Sequence, residues 1–223
     1  MTPAAACRPG DVVVTGLGTV NPLGGDVDST WSALHEGTCA IRLLEHGWVE
    51  NYELPVRIGA PLAINPADLL PPRQIRRLDR ASQCALLAAR QAWEQAGSPR
   101  IGPQRLAVSV SPGMGPVLSV MEAWDTLRDR GPRRVLPTAI PALMPNAPAA
   151  AVGIDLGAQA GIHAPVSACA SGAEAISYGA DLIALGRACR LGRPRRRLRC
   201  GAPRAVGHAA GTRSAPGTGA GGP

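Results

Sequence analysis

A strand, a turn of small residues and an amphipathic helix follow one another between residues 162 and 186. Residues 162–167 form a short apolar run typical of a buried strand. From Gly172 to Gly186, apolar side chains recur at helical spacing; they include Ala173, Ile176, Ala180 and Ile183. A strand that runs directly into a helix is the building unit of layered α/β folds.

The remaining sequence repeats this alternation. Strands are predicted at Asp11–Gly16 and Leu106–Ser111, and residues 38–72 are expected to be an irregular surface excursion. Helices are predicted at Thr30–Glu36 after an Asp28 or Ser29 cap, from Asp79 to a stop at Gly97, at Val117–Arg128, and at Ala149–Leu156. The order of elements predicts a layered α/β fold with a mostly parallel sheet.

Cys169 lies in the turn between the last predicted strand and helix. Its neighbours are all small, which allows a substrate to approach the sulfur; they are Ser167, Ala168, Ala170, Ser171 and Gly172. The N-terminus of the helix offers free N–H groups and a partial positive charge, both of which favour a thiolate and can stabilise an oxyanion. The spacing therefore indicates a thiol nucleophile, with a buried structural cysteine as the alternative.

Composition excludes several classes of protein. The six cysteines form no Cys-x-x-Cys pair and no zinc-ligand spacing, so no metal site is predicted. Cys39 and Cys84 are interpreted as small buried hydrophobic residues. No apolar stretch is long enough to span a membrane, and the first residues lack a secretory signal, so we expect a cytoplasmic protein.

Charge divides the chain in two. The first 187 residues hold sixteen acidic residues and fifteen arginines, whereas the last 36 hold eight arginines and no acidic residue. The segment 188–223 is rich in Arg, Gly, Ala and Pro and shows no periodicity, so we expect it to be disordered. Residues 10–187 are expected to form the folded domain.

Several segments together resemble one family. Val166–Ile176 resembles the active-site segment of the β-ketoacyl-[acyl-carrier-protein] synthases, the chain-elongation enzymes of type II fatty acid synthesis. The other matching segments are Val12–Gly18 with Asn21–Gly24, Leu78–Gln83, Leu143–Asn146 and Pro148–Val152. The resemblance covers roughly residues 10 to 187 in order, and it implies the N-terminal half of a thiolase-like fold in a homodimeric enzyme.

The resemblance also implies a reaction. Cys169 would take an acyl group from acyl carrier protein, where it is linked to phosphopantetheine, and malonyl carrier protein would lose CO₂ to give the carbanion that attacks this thioester. No metal or dissociable cofactor is needed. By position, Met114 matches a residue that borders the acyl-chain pocket, although the run Ser111–Pro116 departs from the usual Gly-rich pattern. Core packing is the alternative role for Met114.

The family pattern breaks after Arg187. Relatives use two histidines and a lysine from the C-terminal half, but this sequence has no lysine, and none of its four histidines lies in the family's motifs. We therefore expect the chain alone to expose uncovered apolar faces, to be poorly soluble and to be inactive in condensation. Since a glycine run in GC-rich DNA reads as arginine in a neighbouring frame, we hypothesise that residues from about 188 are a frameshifted translation.

Three other interpretations each fit part of the sequence. A dinucleotide-binding oxidoreductase would use Gly16-x-Gly18 after a strand, but the third glycine and the distant acidic residue are missing. The arginine-rich tail could bind nucleic acid non-specifically, yet it has no aromatic residue for base stacking, so no specific nucleic-acid partner is expected. A polyketide ketosynthase subunit stays open, whereas a chain-length-factor-like partner is disfavoured because Cys169 is present.

Overall fold

The computed structural model describes residues 12–45 and 47–189. The eight α-helices found there are α1 (Val27–His35), α2 (Gly47–Asn51), α3 (Pro72–Ile75), α4 (Arg80–Gln95), α5 (Val117–Arg130), α6 (Ala139–Leu143), α7 (Ala147–Leu156) and α8 (Ser171–Ala184). The strands in the same ranges are β1 (Arg42–Leu43), β2 (Ile58–Gly59), β3 (Val108–Ser109) and β4 (Ile162–His163). No helix in this part of the chain is long and apolar enough to cross a membrane.

The strands form two small sheets. β3 and β4 pair in parallel, with Val108 opposite Ile162 and Ser109 opposite His163. β1 and β2 form an antiparallel pair within the segment that was expected to be irregular. The parallel pairing agrees with the expected α/β class, but both parallel strands are shorter than the sequence pattern suggested.

The strand predicted at Asp11–Gly16 is not a regular strand. Asp11 lies outside the described residues; Val14 forms a single β-bridge, and residues 12–16 form no ladder with β3 or with another strand of the described ranges. A run of β-branched residues fits a pleated strand, but a strand is held by hydrogen bonds to a neighbour. The sequence pattern indicates that the segment can adopt a pleated strand, but it does not indicate whether a neighbouring strand is available to pair with it.

Helix α4 is the most deeply buried element. Asp79 caps its N-terminus by accepting hydrogen bonds from Ala81 N–H (2.9 Å) and Ser82 N–H (3.1 Å). The helix ends before Gly97, which adopts a φ of 80° that an L-residue rarely adopts. The expected start and stop are both confirmed. Its buried side chains run almost around the helix; they are Ser82, Gln83, Cys84, Ala85, Leu86, Leu87, Ala88, Ala89 and Ala92.

The segment Gly16–Thr19 lies directly on α4. A Cβ atom at Gly16 or Gly18 would fall well inside contact distance of the carbonyl oxygens of Ala92 and Ala88. The alternate residues donate their N–H groups to the helix, Leu17 to Gln95 Oε1 (2.6 Å) and Thr19 to Gln91 Oε1 (2.9 Å). These glycines therefore serve close packing of backbone on helix. They do not open a helix around a phosphate, since the next helix begins only at Val27.

Helices pack on the parallel strands in layers. Val108 and Val110 contact a cluster of small residues from α4 and α7; its members are Ala85, Ala89, Ala149 and Val152. Helix α8 contacts β3 as well. An ion pair between Arg90 and Asp155 (2.6 Å) ties α4 to α7, and the hydrogen bond that Arg90 donates to the Asp155 carboxylate raises the pKa of Arg90.

Helices α5 and α6 carry no buried residue. Their exposed apolar side chains include Trp124 and Ile140, which are 61% and 67% exposed. Monomeric proteins seldom expose apolar groups so densely. The exposed faces agree with the expectation that part of the apolar surface is uncovered.

The ends of the predicted elements shift in two places. Asp26 caps α1, accepting a hydrogen bond from Ser29 N–H (2.8 Å), so the cap is neither Asp28 nor Ser29. At the other end, the described fold continues to Cys189, whose N–H donates to the carbonyl oxygen of Arg105 (2.8 Å). The predicted disordered tail and its nucleic-acid interpretation fall almost entirely on residues 190–223, outside the described residues.

Gly18→Ala should lower the free energy of unfolding by at least about 2 kcal/mol, which is in the upper part of the range for overpacked sites. The reason is that the Ala88 carbonyl oxygen is part of a helix and cannot rotate away from the added Cβ. Urea denaturation followed by circular dichroism measures this change. Gly102→Ala is the matched control, since Gly102 has a φ of −61° and nothing within 4 Å of the added Cβ. A change of about 0.5 kcal/mol or less is expected there. Equal losses in both variants would contradict the packing role.

Candidate active site

Cys169 is at the centre of a short 3₁₀ turn, Ala168–Ala170, that runs directly into α8. The strand β4 ends earlier than expected, so residues 164–167 form a connection between strand and turn. The Cys169 side chain is exposed. Its structural setting is therefore that of an accessible thiol at the start of a helix, and burial as a structural cysteine does not describe it.

Ala168 adopts a left-handed conformation, with a φ of 50°. This conformation is uncommon for a residue that carries a Cβ, and it requires support from the surrounding structure. The left-handed residue turns the chain sharply just before Cys169. A strained turn between a strand and a helix that displays its nucleophile is the arrangement used by α/β-hydrolases.

Ser171 holds this turn from inside. Its side chain is 1% exposed, and its hydroxyl donates to the Ala168 carbonyl oxygen (2.7 Å) and accepts from Ser167 N–H (3.0 Å). Sequence reasoning counted Ser171 only as one of several small neighbours of Cys169. The spacing of a serine two positions after the cysteine and four after Ser167 is the one signal that could have indicated this contact.

The backbone N–H groups of the turn have different partners. Ala170 N–H donates to the Ser167 carbonyl oxygen (3.0 Å), and Ser171 N–H donates to that of Ala168. Cys169 N–H makes no hydrogen bond to any residue of the described ranges. Because it belongs to the same residue as the sulfur and has no partner there, it is a candidate donor to the oxyanion of a tetrahedral carbon bound to that sulfur.

Three segments singled out in the sequence converge around this turn. A Cβ at Gly113 would lie 3.1 Å from the Ala168 carbonyl oxygen, so the turn after β3 touches the turn after β4. A Cβ at Gly115 would lie 3.4 Å from Pro145 Cα, which brings in the segment before α7. The carboxyl ends of parallel strands share one edge of a sheet, and this explains why the two turns meet.

Met114 lies in the turn that touches Ala168. Its side chain is 73% exposed, so it does not pack in the described core. This exposure does not fit the alternative role of core packing, and a role at the border of an acyl pocket stays a prediction.

Cys39, Cys84 and the two histidines of the described ranges have other surroundings. Burial raises the pKa of the Cys84 thiol, which is 3% exposed, whereas Cys39 is exposed and the expectation that it is buried is wrong. His35 contacts Trp31 at the end of α1, with ring centroids 5.4 Å apart, and His163 contacts Tyr178 at 4.9 Å. His46 and His208 lie outside the described residues. Across residues 12–45 and 47–189, no group of three or more His, Cys, Asp or Glu could hold a metal ion.

Comparison with known proteins identifies the family. The family model described as "Beta-ketoacyl synthase, N-terminal domain" matches residues 10–189. The chain belongs to the β-ketoacyl synthase family. Over 178 residues it is 39% identical to the 3-oxoacyl-[acyl-carrier-protein] synthase 2 of Mycobacterium leprae, and over 179 residues it is 34% identical to that of Staphylococcus aureus strain COL.

These β-ketoacyl synthases are longer than the matched region. The alignment covers 80% of this chain but 42% of the M. leprae protein, so the chain spans less than half the length of this relative. A solved β-ketoacyl synthase from Burkholderia phymatum superposes with a TM-score of 0.67 at 28% identity, over 82% of this chain and 47% of that one. The thiolase-like α/β fold expected from the resemblance is confirmed.

Ala168→Val should lower the free energy of unfolding by about 1–3 kcal/mol, because a β-branched side chain is strained at positive φ. Ala170→Val is the matched control: both alanines are exposed and adjacent to Cys169, but Ala170 has a φ of −88°. The control is expected to cost less than about 0.7 kcal/mol, as for β-branched residues in helices. Urea denaturation measures the loss of stability in each variant. Indistinguishable midpoints for the two variants would rule out the left-handed turn.

Proposed function

We propose that this chain supplies the acyl-accepting part of a β-ketoacyl-[acyl-carrier-protein] synthase, with Cys169 as the nucleophile. The observation that carries the proposal is the exposed thiol in a left-handed turn at the start of α8, in a chain of the β-ketoacyl synthase family. The relatives named above are condensing enzymes by name, and the proposed reaction is the one that name describes.

The acyl transfer is a thioester exchange. The Cys169 thiol gives up its proton to solvent, its sulfur attacks the carbonyl carbon of an acyl thioester, and a new carbon–sulfur bond forms. Cys169 N–H is positioned to donate to the oxyanion of the tetrahedral intermediate. When the intermediate collapses, the carbon–sulfur bond to the phosphopantetheine thiol breaks, and the carrier leaves as a thiolate that takes up a proton from solvent.

The condensation then requires a second substrate. Malonyl carrier protein loses CO₂, the resulting carbanion attacks the carbonyl carbon of the Cys169 thioester, and the cysteine thiolate is released. In the intact family this step depends on two histidines and a lysine, as the sequence resemblance implies. This chain has no lysine, and neither described histidine lies at the Cys169 turn. The proposal therefore assigns acyl transfer, and not condensation, to this chain alone.

Acyl carrier protein is the proposed partner, since the relatives at 34–39% identity are named for acting on carrier-bound substrates. A homodimer belongs to the same proposal. Its support is the exposed apolar face of α5 and α6, where an unpaired monomer leaves Trp124 and Ile140 in water. A cytoplasmic location, as expected from the sequence, is part of the same proposal.

Incubation of the full chain with a medium-chain acyl carrier protein should attach one acyl group to Cys169, because that thiol is exposed at a helix N-terminus. Intact-mass spectrometry followed by peptide mapping measures the modification. Cys169→Ala should abolish it. Cys39→Ala is the control for an exposed thiol outside the turn and should leave the yield unchanged. Acylation that persists in Cys169→Ala would contradict the assignment.

The acylated chain should not convert malonyl carrier protein into a β-ketoacyl product. We expect a turnover at least about a thousandfold below that of an intact relative assayed in parallel, the scale on which loss of one group of an interdependent catalytic set acts. Chromatographic detection of the β-ketoacyl carrier protein tests this. Product formation close to the rate of the intact relative would show that the missing histidines and lysine are not required.

A further inference from the structure

We infer that Ser171 is a positioning residue for Cys169. Its buried hydroxyl holds the turn that fixes the orientation of the Cys169 N–H group relative to the Cys169 sulfur. The inference rests on the proposed function, because it concerns how the acyl-accepting cysteine is held. It adds a residue that touches neither substrate nor sulfur and acts through the backbone.

The hydroxyl bridges the two residues that precede the cysteine. It donates to the Ala168 carbonyl oxygen (2.7 Å) and accepts from Ser167 N–H (3.0 Å). Cys169 is the next residue after this bridged pair, and Ser171 itself is the first residue of α8. The cysteine is therefore anchored on both sides, by the bridged backbone before it and by the helix after it.

The bridge opposes the strain of the turn. Ala168 is held at a φ of 50°, a conformation that persists only where the surrounding structure determines it. The backbone of Gly113 approaches the Ala168 carbonyl from the neighbouring turn and restricts its movement on that side. The Ser171 hydroxyl satisfies the same carbonyl from within the helix. Without the hydroxyl, the carbonyl and the Ser167 N–H both lose a partner, and the left-handed state loses its support.

The consequence for chemistry is specific to acyl transfer. Attack on a thioester needs the sulfur and the oxyanion donor in a fixed relation, because the donor must lie where the oxyanion forms. Alkylation by iodoacetamide needs only an accessible sulfur. Loss of the bridge should therefore slow acylation of Cys169 much more than its alkylation.

The test compares four forms of the full chain: wild type, Ser171→Ala, Ser171→Thr and Ser177→Ala. Ser177 lies exposed on the same helix, so Ser177→Ala controls for the removal of a hydroxyl from α8. For each form, the maximal acylation rate and the half-saturating concentration of acyl carrier protein are measured, together with the alkylation rate and the circular dichroism spectrum.

We expect Ser171→Ala to reduce the maximal acylation rate at least tenfold, with the half-saturating concentration and the alkylation rate changed less than about threefold. Ser171→Thr retains the hydroxyl and should acylate within about threefold of the wild type, as should Ser177→Ala. A folded Ser171→Ala with the wild-type acylation rate overturns the inference. If Ser171→Ala does not fold, Ser171→Thr decides: a folded variant that has lost acylation equally overturns the inference, and retained acylation supports it.

Failure of the proposed function is distinguishable from failure of this inference. A wild-type chain that takes no acyl group contradicts the proposed function. Amide hydrogen exchange at Ser167 then tests the bridge by itself: the amide should be protected in wild type and Ser171→Thr, and exchange at least tenfold faster in Ser171→Ala. Equal exchange in all three overturns the role of Ser171.

Discussion

The close approach of other segments to helix α4 organises the described part of the chain. Alanines along the helix leave room for backbone, and the two glycines of the segment Gly16–Thr19 leave room on the opposing side. Hydrogen bonds to Gln91 and Gln95 satisfy the N–H groups that this packing removes from water. Helix α7 and strand β3 use the remaining small-residue face of α4. A side chain at Gly16 or Gly18 would push the segment away from the helix carbonyls of Ala92 and Ala88.

The candidate active site follows from that packing. Since β3 and β4 are parallel and packed against α7 and α8, their carboxyl ends lie at one edge of the sheet, and the turns that follow them must meet there. One turn carries Gly113 and Met114, and the other carries Cys169. The left-handed conformation of Ala168 and the buried Ser171 hydroxyl then fix the backbone of the second turn next to the Cys169 thiol. The packed strands and helices thus determine where the Cys169 thiol lies, and the turn around it determines how the thiol is oriented.

Prediction from sequence succeeded where local signals agree with the tertiary environment. Helix α4 was predictable because Asp79, the apolar periodicity and Gly97 all indicate the same element. It failed where an element depends on a partner. Residues 12–16 have the composition of a strand but form no ladder with another strand of the described ranges. The cap of α1 is Asp26 because several residues near the helix start can accept the same hydrogen bond. Cys39 is exposed although free cysteines are commonly buried, since burial depends on which surfaces meet.

The sequence by itself determined the fold class, the family and the identity of the candidate nucleophile. It did so because the alternation of apolar runs, small-residue turns and glycine stops is a local property of the chain, and Cys169 lies within such a turn. Only the tertiary structure decided how that cysteine is held. The left-handed backbone of Ala168 and the inward hydroxyl of Ser171 belong to the turn itself, and the contact with the Gly113 turn joins it to a segment distant in sequence. Their conformations are selected by packing against one another, and residue identity alone leaves them open.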